Sequence, residues 1–126
     1  MIPPRGRSYP APPRRGAGGN AAAPSPADNP NYVGKIVVDS SPRQEMLNAL
    51  RVSDWPTWGC EESEFPWHYD RTESCYVLQG SAVVTPDVVH GADEVVICAG
   101  DFCIFPRGMS CTWRVTAPIQ KHYSFE

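Results

Sequence analysis

From about Trp55 to the end of the chain, apolar and polar positions alternate in short runs separated by Gly, Pro and Asp. The runs "TWGCEES", "EFPWHYD", "ESCYVLQG", "SAVVTP", "EVVICAG", "FCIFP", "SCTWRVT" and "IQKHYSFE" read as strands with side chains pointing alternately to two faces. Closely spaced strands with no helical period between them predict an all-β sandwich or barrel and argue against a βαβ fold. Gly80-Ser81 reads as a break between two strands, "DVVHGAD" as a turn-rich loop and Gly100-Asp101 as a tight turn. Pro106-Arg107-Gly108 should stop one strand and re-aim the next. Upstream, "KIVVDS" at 35–40 is a short strand candidate. "SPRQEMLNALRV" follows, with Ser41 placed to cap a helix, Pro42 at its first position and Glu45 in its first turn. Met46, Leu47 and Leu50 give that short helix an apolar face to pack on the strands.

Residues 1–30 break the pattern. They are dominated by Pro, Gly and Ala and have no apolar face to offset the entropy cost of ordering, so a disordered tail is expected over 1–30 and a single folded domain over 31–126. Four arginines and no acid lie in residues 1–27, which gives this head the look of an organelle transit peptide. It has no apolar run of signal-peptide length, so secretion is not expected. All 14 acidic residues fall after it, and the resulting acidic domain disfavours nucleic acid as a partner. No run of about 20 apolar residues suggests a membrane helix, and no membrane partner is expected. The five cysteines, Cys60, Cys75, Cys98, Cys103 and Cys111, contain no CxxC pair and read as small core thiols in a reducing compartment.

Two stretches carry more than propensity: Glu73-x6-Gly80, and Gly100-x5-Pro106-x-Gly108. They resemble the two motifs of cupins, G(X)5HXH(X)3,4E(X)6G and G(X)5PXG(X)2H(X)3N. The longer text "WGCEESEFPWHYDRTESCYVLQGSAVVTP" with "AGDFCIFPRGMSCTWRVTAPIQKHYSFE" is similar to small single-domain cupins related to the cupin domain of (S)-ureidoglycine aminohydrolase. The resemblance covers about residues 53–126. It implies an RmlC-like double-stranded β-helix, or jelly-roll barrel, with one short N-terminal helix. It also implies a homodimer, and a chloroplast or cytoplasmic location.

The same resemblance shows where this chain departs. Metal-binding cupins hold a divalent Mn, Fe or Zn ion with two histidines, a glutamate and a further histidine. The acid is kept as Glu73, but the paired histidine positions fall on Trp67 and Tyr69, or on Pro66 and His68, and the last falls on Cys111. By the aminohydrolase pattern the ligand positions are Trp67, Tyr69, Glu73 and Cys111. Trp offers no lone pair to a metal and neutral Tyr is a poor ligand, so only His68, Glu73 and Cys111 remain as metal candidates and no cofactor is assigned.

What remains is a candidate ligand pocket. Lys121 lies on the apolar face of Ile119-x-Lys121-x-Tyr123-x-Phe125, where its ammonium must either reach the rim or pair with an acid inside, Glu73 being the candidate. Glu73 itself could equally be a solvated strand-end carboxylate. Tyr69 and Tyr123 could orient a ligand or fill core, and Trp67 and Trp113 could form an apolar wall. The expected function is binding of a small polar or acidic metabolite in the barrel without a full metal site. The alternatives are a metal-dependent hydrolase resembling (S)-ureidoglycine aminohydrolase, and a structural or interaction module. No catalytic residue is assigned.

Overall fold

The computed structural model describes residues 28–126; residues 1–27, on which the transit-peptide-like reading falls, lie outside it. The described elements are β1 (Val37–Asp39), α1 (Gln44–Leu50), β2 (Thr57–Cys60), β3 (Ser63–His68), β4 (Glu73–Pro86), β5 (Val95–Cys98), β6 (Phe102–Phe105) and β7 (Ser110–Phe125). All strand pairings are antiparallel. The two long strands, β4 and β7, pair along most of their length and organise everything else. The first half of β4 takes β6 as its other neighbour and the second half takes β5. Likewise the first half of β7 takes β3 and the second half takes β2. This is the jelly-roll arrangement expected from the sequence, with one short helix.

Two expected breaks are absent. Gly80-Ser81 does not separate two strands, and the runs "SCTWRVT" and "IQKHYSFE" are one strand. The β4–β7 ladder instead carries register irregularities between Val77 and Ala82. Their effect can be read from burial. Glu73, Cys75 and Val77 are buried in the first half of β4, whereas Ala82, Val84 and Pro86 are buried in the second. The inward parity changes from odd to even, as an inserted residue requires. Gly80, at φ +85°, sits in the irregular stretch because a Cβ there would lie 2.0 Å from the Pro118 carbonyl oxygen.

The helix also starts later than its sequence suggested. Arg43, not Ser41, is its N-cap, and no side chain caps it. The Ser41 amide instead donates to the Asp39 carboxylate, which holds Ser41 in a turn after β1. Leu47 is buried on the β6 side with Val52 and Phe102, and Met46 packs beside them, while Leu50 is largely exposed. Apart from this satellite cluster lies the main core, built from inward residues of β2 through β7.

Candidate functional site

The strand alternation of β7 points Cys111, Trp113, Val115, Ile119, Lys121 and Tyr123 inward. Lys121 is therefore carried into the core by its parity, with no exposed surface. Its backbone lies opposite Val77 of β4 and Trp58 of β2. Glu73 opens β4 opposite Phe105 and Phe125, and is also buried. The Lys121 ammonium donates to Glu73 Oε2, forming an ion pair wholly inside the protein.

Aromatic faces surround that ammonium. Lys121 Nζ lies 4.8 Å from the Trp113 ring centroid, 5.3 Å from Trp58 and 5.7 Å from Phe105, within reach of favourable cation–π attraction. Trp113 stacks on Phe65, and Phe105 stacks on Tyr69 at 5.1 Å. The Trp113 indole N–H donates to the Tyr69 hydroxyl oxygen at 3.0 Å. Two buried polar atoms have no partner among the described residues: Glu73 Oε1 and Trp67 Nε1.

Electrostatics follow from this packing. Burial depresses the Lys121 ammonium, but the Glu73 charge and hydrogen bond, with the nearby Cys75 and Cys103, more than reverse this and hold its pKa above the usual lysine value. Burial, reinforced by Glu73, Cys111 and Cys75, pushes the Tyr69 phenol well above 10 despite the opposing Trp113 hydrogen bond. Cys111 is pushed up by burial and by Asp87 and Glu73, with Lys121 opposing, so it is a thiol at neutral pH. Cys103 is raised chiefly by its hydrogen bond with Cys75, directly across from it on β4. Of the five cysteines, Cys60, Cys75, Cys103 and Cys111 are buried and Cys98 is exposed.

The structure thus brings Glu73, Lys121, Tyr69 and Trp113 together around one buried pair. Cys111 and Tyr123 are buried on the same face of β7, and Trp67, half-buried, pairs with Cys111 across β3 and β7. Of the two possible histidine registers, the one on Trp67 and Tyr69 holds a half-buried and a buried ring, while Pro66 and His68 are exposed. His68 Nδ1 instead meets the Ser110 hydroxyl at 2.8 Å on the outside. Sequence reasoning missed Phe105 and Phe65 as walls of the site. The inward parity of "FCIFP" and "EFPWHYD" was legible, but the cross-strand register that sets Phe105 opposite Glu73 was not.

The profile of the EutQ-like cupin domain matches residues 47–123. The chain belongs to the EutQ-like cupin family. Among solved structures, this cupin resembles a DUF861-family protein of Thermotoga maritima, with 40% identity over 72% of this chain and 99% of that one, at a TM-score of 0.67. It also matches the Clostridium difficile EutQ protein at 22% identity, covering 55% of this chain and 52% of that one, at a TM-score of 0.48. None of the curated proteins matches it at a significant level.

The fold family implies a divalent metal in the barrel, and the donors present do not fit one. Among the described residues no group of three or more His, Cys, Asp or Glu side chains could hold a metal ion. The motif acid, Glu73, is already engaged by a lysine ammonium, and His68 faces outward. A groove of about 420 Å³ on the surface, lined by Glu62, Glu64, Arg114 and Thr116 among others, shares no residue with the buried pair.

Proposed function

We propose that this cupin binds a small polar molecule inside its barrel without a metal, using the Glu73–Lys121 pair as the polar centre. The observation that carries this reading is the unpartnered Glu73 Oε1. Buried polar atoms in folded proteins nearly always have a hydrogen-bond partner, because an orphan loses its solvation without compensation. A carboxylate oxygen left open beside an ion pair and aromatic faces is the kind of convergent polar group around which small-molecule sites are built. The ammonium of Lys121 supplies from the chain itself the positive charge that relatives take from an ion. Glu73 and Lys121 are closed off from solvent, so the ligand is of few heavy atoms and enters by displacement of the rings that cover the pair.

Thermal-shift screening of the full chain against small acids, amides and sugars tests the reading. At least one class should raise the melting temperature, and the rise should vanish in Glu73→Ala or Lys121→Ala protein that retains its fold. If no compound stabilises the protein, the pair is structural and the scaffold reading replaces this one.

The finer relation to (S)-ureidoglycine aminohydrolase, and with it a metal-dependent hydrolysis, would require metal at about one equivalent in protein purified without chelators. The donor set around Glu73 favours metal well below that level.

A further inference from the structure

We propose that residues 29–34 form a strap that neutral His90 latches to the barrel and that acid releases; this stands whether or not the interior binds a ligand. His90 is buried in the turn Val88–His90 after β4, and its two ring nitrogens reach two main-chain groups. Ser110 N–H donates to Nε2 at 3.0 Å, and Nδ1 meets the Asn31 carbonyl at 2.7 Å. An amide N–H only donates and a carbonyl only accepts, so one ring nitrogen must be bare and the other protonated. The imidazolium carries hydrogens on both and would set an N–H against the Ser110 N–H. The other two histidines face no such conflict. His122 Nδ1 meets the Trp55 carbonyl, and a proton on its other nitrogen leaves that bond in place. His68 Nδ1 meets the Ser110 hydroxyl, which can give or accept.

The ring holds a segment that bridges two loops. Asn29 gives its side-chain amide to the Val89 carbonyl at 3.1 Å and folds a turn by accepting from the Asn31 and Tyr32 amides. Val33 packs on the main core, its Cγ1 3.2 Å from where a Cβ on Gly108 would lie. Past it, β1 fixes the chain to β6. The strap thus runs from the loop after β4 to the β6–β7 turn. That turn holds the Tyr69 backbone, with Gly108 N–H donating to its carbonyl at 2.6 Å and its own N–H donating to the Met109 carbonyl at 2.9 Å. The charged or titratable side chains on the segments that meet the ring are Asp87 and Asp93 on its own loop, Asp28 and Tyr32 on the strap, Arg107 in the β6–β7 turn, and His68 on the Ser110 hydroxyl. Main-chain groups, not these, occupy both ring nitrogens. A ring that takes a proton only once the latch is open makes opening about tenfold easier for each pH unit below the free imidazole value of about 6.5. The latch is complete above that value and is lost as pH falls through it.

The test is amide hydrogen exchange of the full chain at about pH 7.5 and about pH 5.0, with the intrinsic chemical rate divided out. Protection at Ser110 and Tyr32, on opposite sides of the ring, should fall together by about thirtyfold in acid, while the β4–β7 ladder keeps its protection. His90→Ala should show low protection at both amides and no fall between the two conditions. His68→Ala and His122→Ala should each keep the whole fall, which assigns it to His90 even if the His90 variant does not fold. Equal protection of Ser110 at the two pH values overturns the latch, as does a fall that survives in folded His90→Ala protein or is lost in either of the other two variants. A fall at Ser110 without one at Tyr32 overturns the strap, since it leaves only a single broken hydrogen bond.

Discussion

Lys121 shows how one side chain's parity decides the chemistry of the interior. An ammonium with no exposed surface survives only because Glu73 neutralises it and three rings face it. Removing one member of such a pair strands the other charge and costs about 3–5 kcal/mol, whereas replacing both with apolar groups of similar volume is often neutral or better. Lys121→Met should therefore lower unfolding free energy in urea by that amount, and Lys121→Met combined with Glu73→Leu should recover most of it. If the double variant were as unstable as the single one, the pair would not be the source of the loss. Titration gives a second prediction at this scale. The folded pKa values of Tyr69 and Lys121 both lie above their unfolded ones, so the protonated forms favour folding. Their contribution is complete below about pH 10 and is lost as pH climbs from there through the folded values. Melting temperature measured against pH should fall across that alkaline window, and Tyr69→Phe should make the fall shallower. At this scale much was legible: the inward parity of Lys121 follows from the alternation Ile119, Lys121, Tyr123. Its partner was one of two open readings, because no single strand contains the register that places Glu73 within reach.

Among the elements, β4 is the one whose sequence misled most. Gly80 between two apolar runs looks like a hairpin turn, since positive φ serves a turn and a bulge equally well. The difference lies outside the strand, in the Pro118–Ile119 backbone that passes against Gly80. A side chain there meets both a left-handed backbone and main-chain atoms that cannot move aside. Gly80→Ala should cost about 4 kcal/mol or more, measured by denaturant midpoint. Gly100→Ala is the control: its φ of +94° is similar but a Cβ would meet nothing within 4 Å, so only the conformational penalty of about 1–2 kcal/mol remains. The helix boundary was misread for a related reason. Ser41 has the residue type of a cap, but its amide is committed to Asp39, a choice made by the end of β1.

At the scale of the whole molecule, the segment preceding β1 is tied to the barrel through His90. Ser110 N–H donates to His90 Nε2 at 3.0 Å, so the ring hydrogen sits on Nδ1 and is given to the Asn31 carbonyl at 2.7 Å. Asn29 adds a side-chain bond to the Val89 carbonyl. The ring thus fastens residues 29–31 to the start of β7. His90→Ala should raise amide hydrogen exchange at Ser110 and Tyr32 while leaving the β4–β7 ladder protected; unchanged exchange at Ser110 would show that the imidazole bears no such role. The all-β class, the punctuation at Gly100 and Gly108 and the barrel itself were readable because they rest on periodicity and turn chemistry. The closed state of the interior was not, because it depends on how rings from four strands fill a common volume.

The sharing of β4 and β7 between both halves of the barrel bears on how the chain reaches its native state. Neither half can be assembled first and kept, since each needs the same two ribbons, and those ribbons come from residues 73–86 and 110–125. Long-range closure must precede most of the stabilising contacts, which makes for slow folding and a single cooperative melt. A cut in the β5–β6 region would therefore yield two pieces, neither of which persists as a folded body alone.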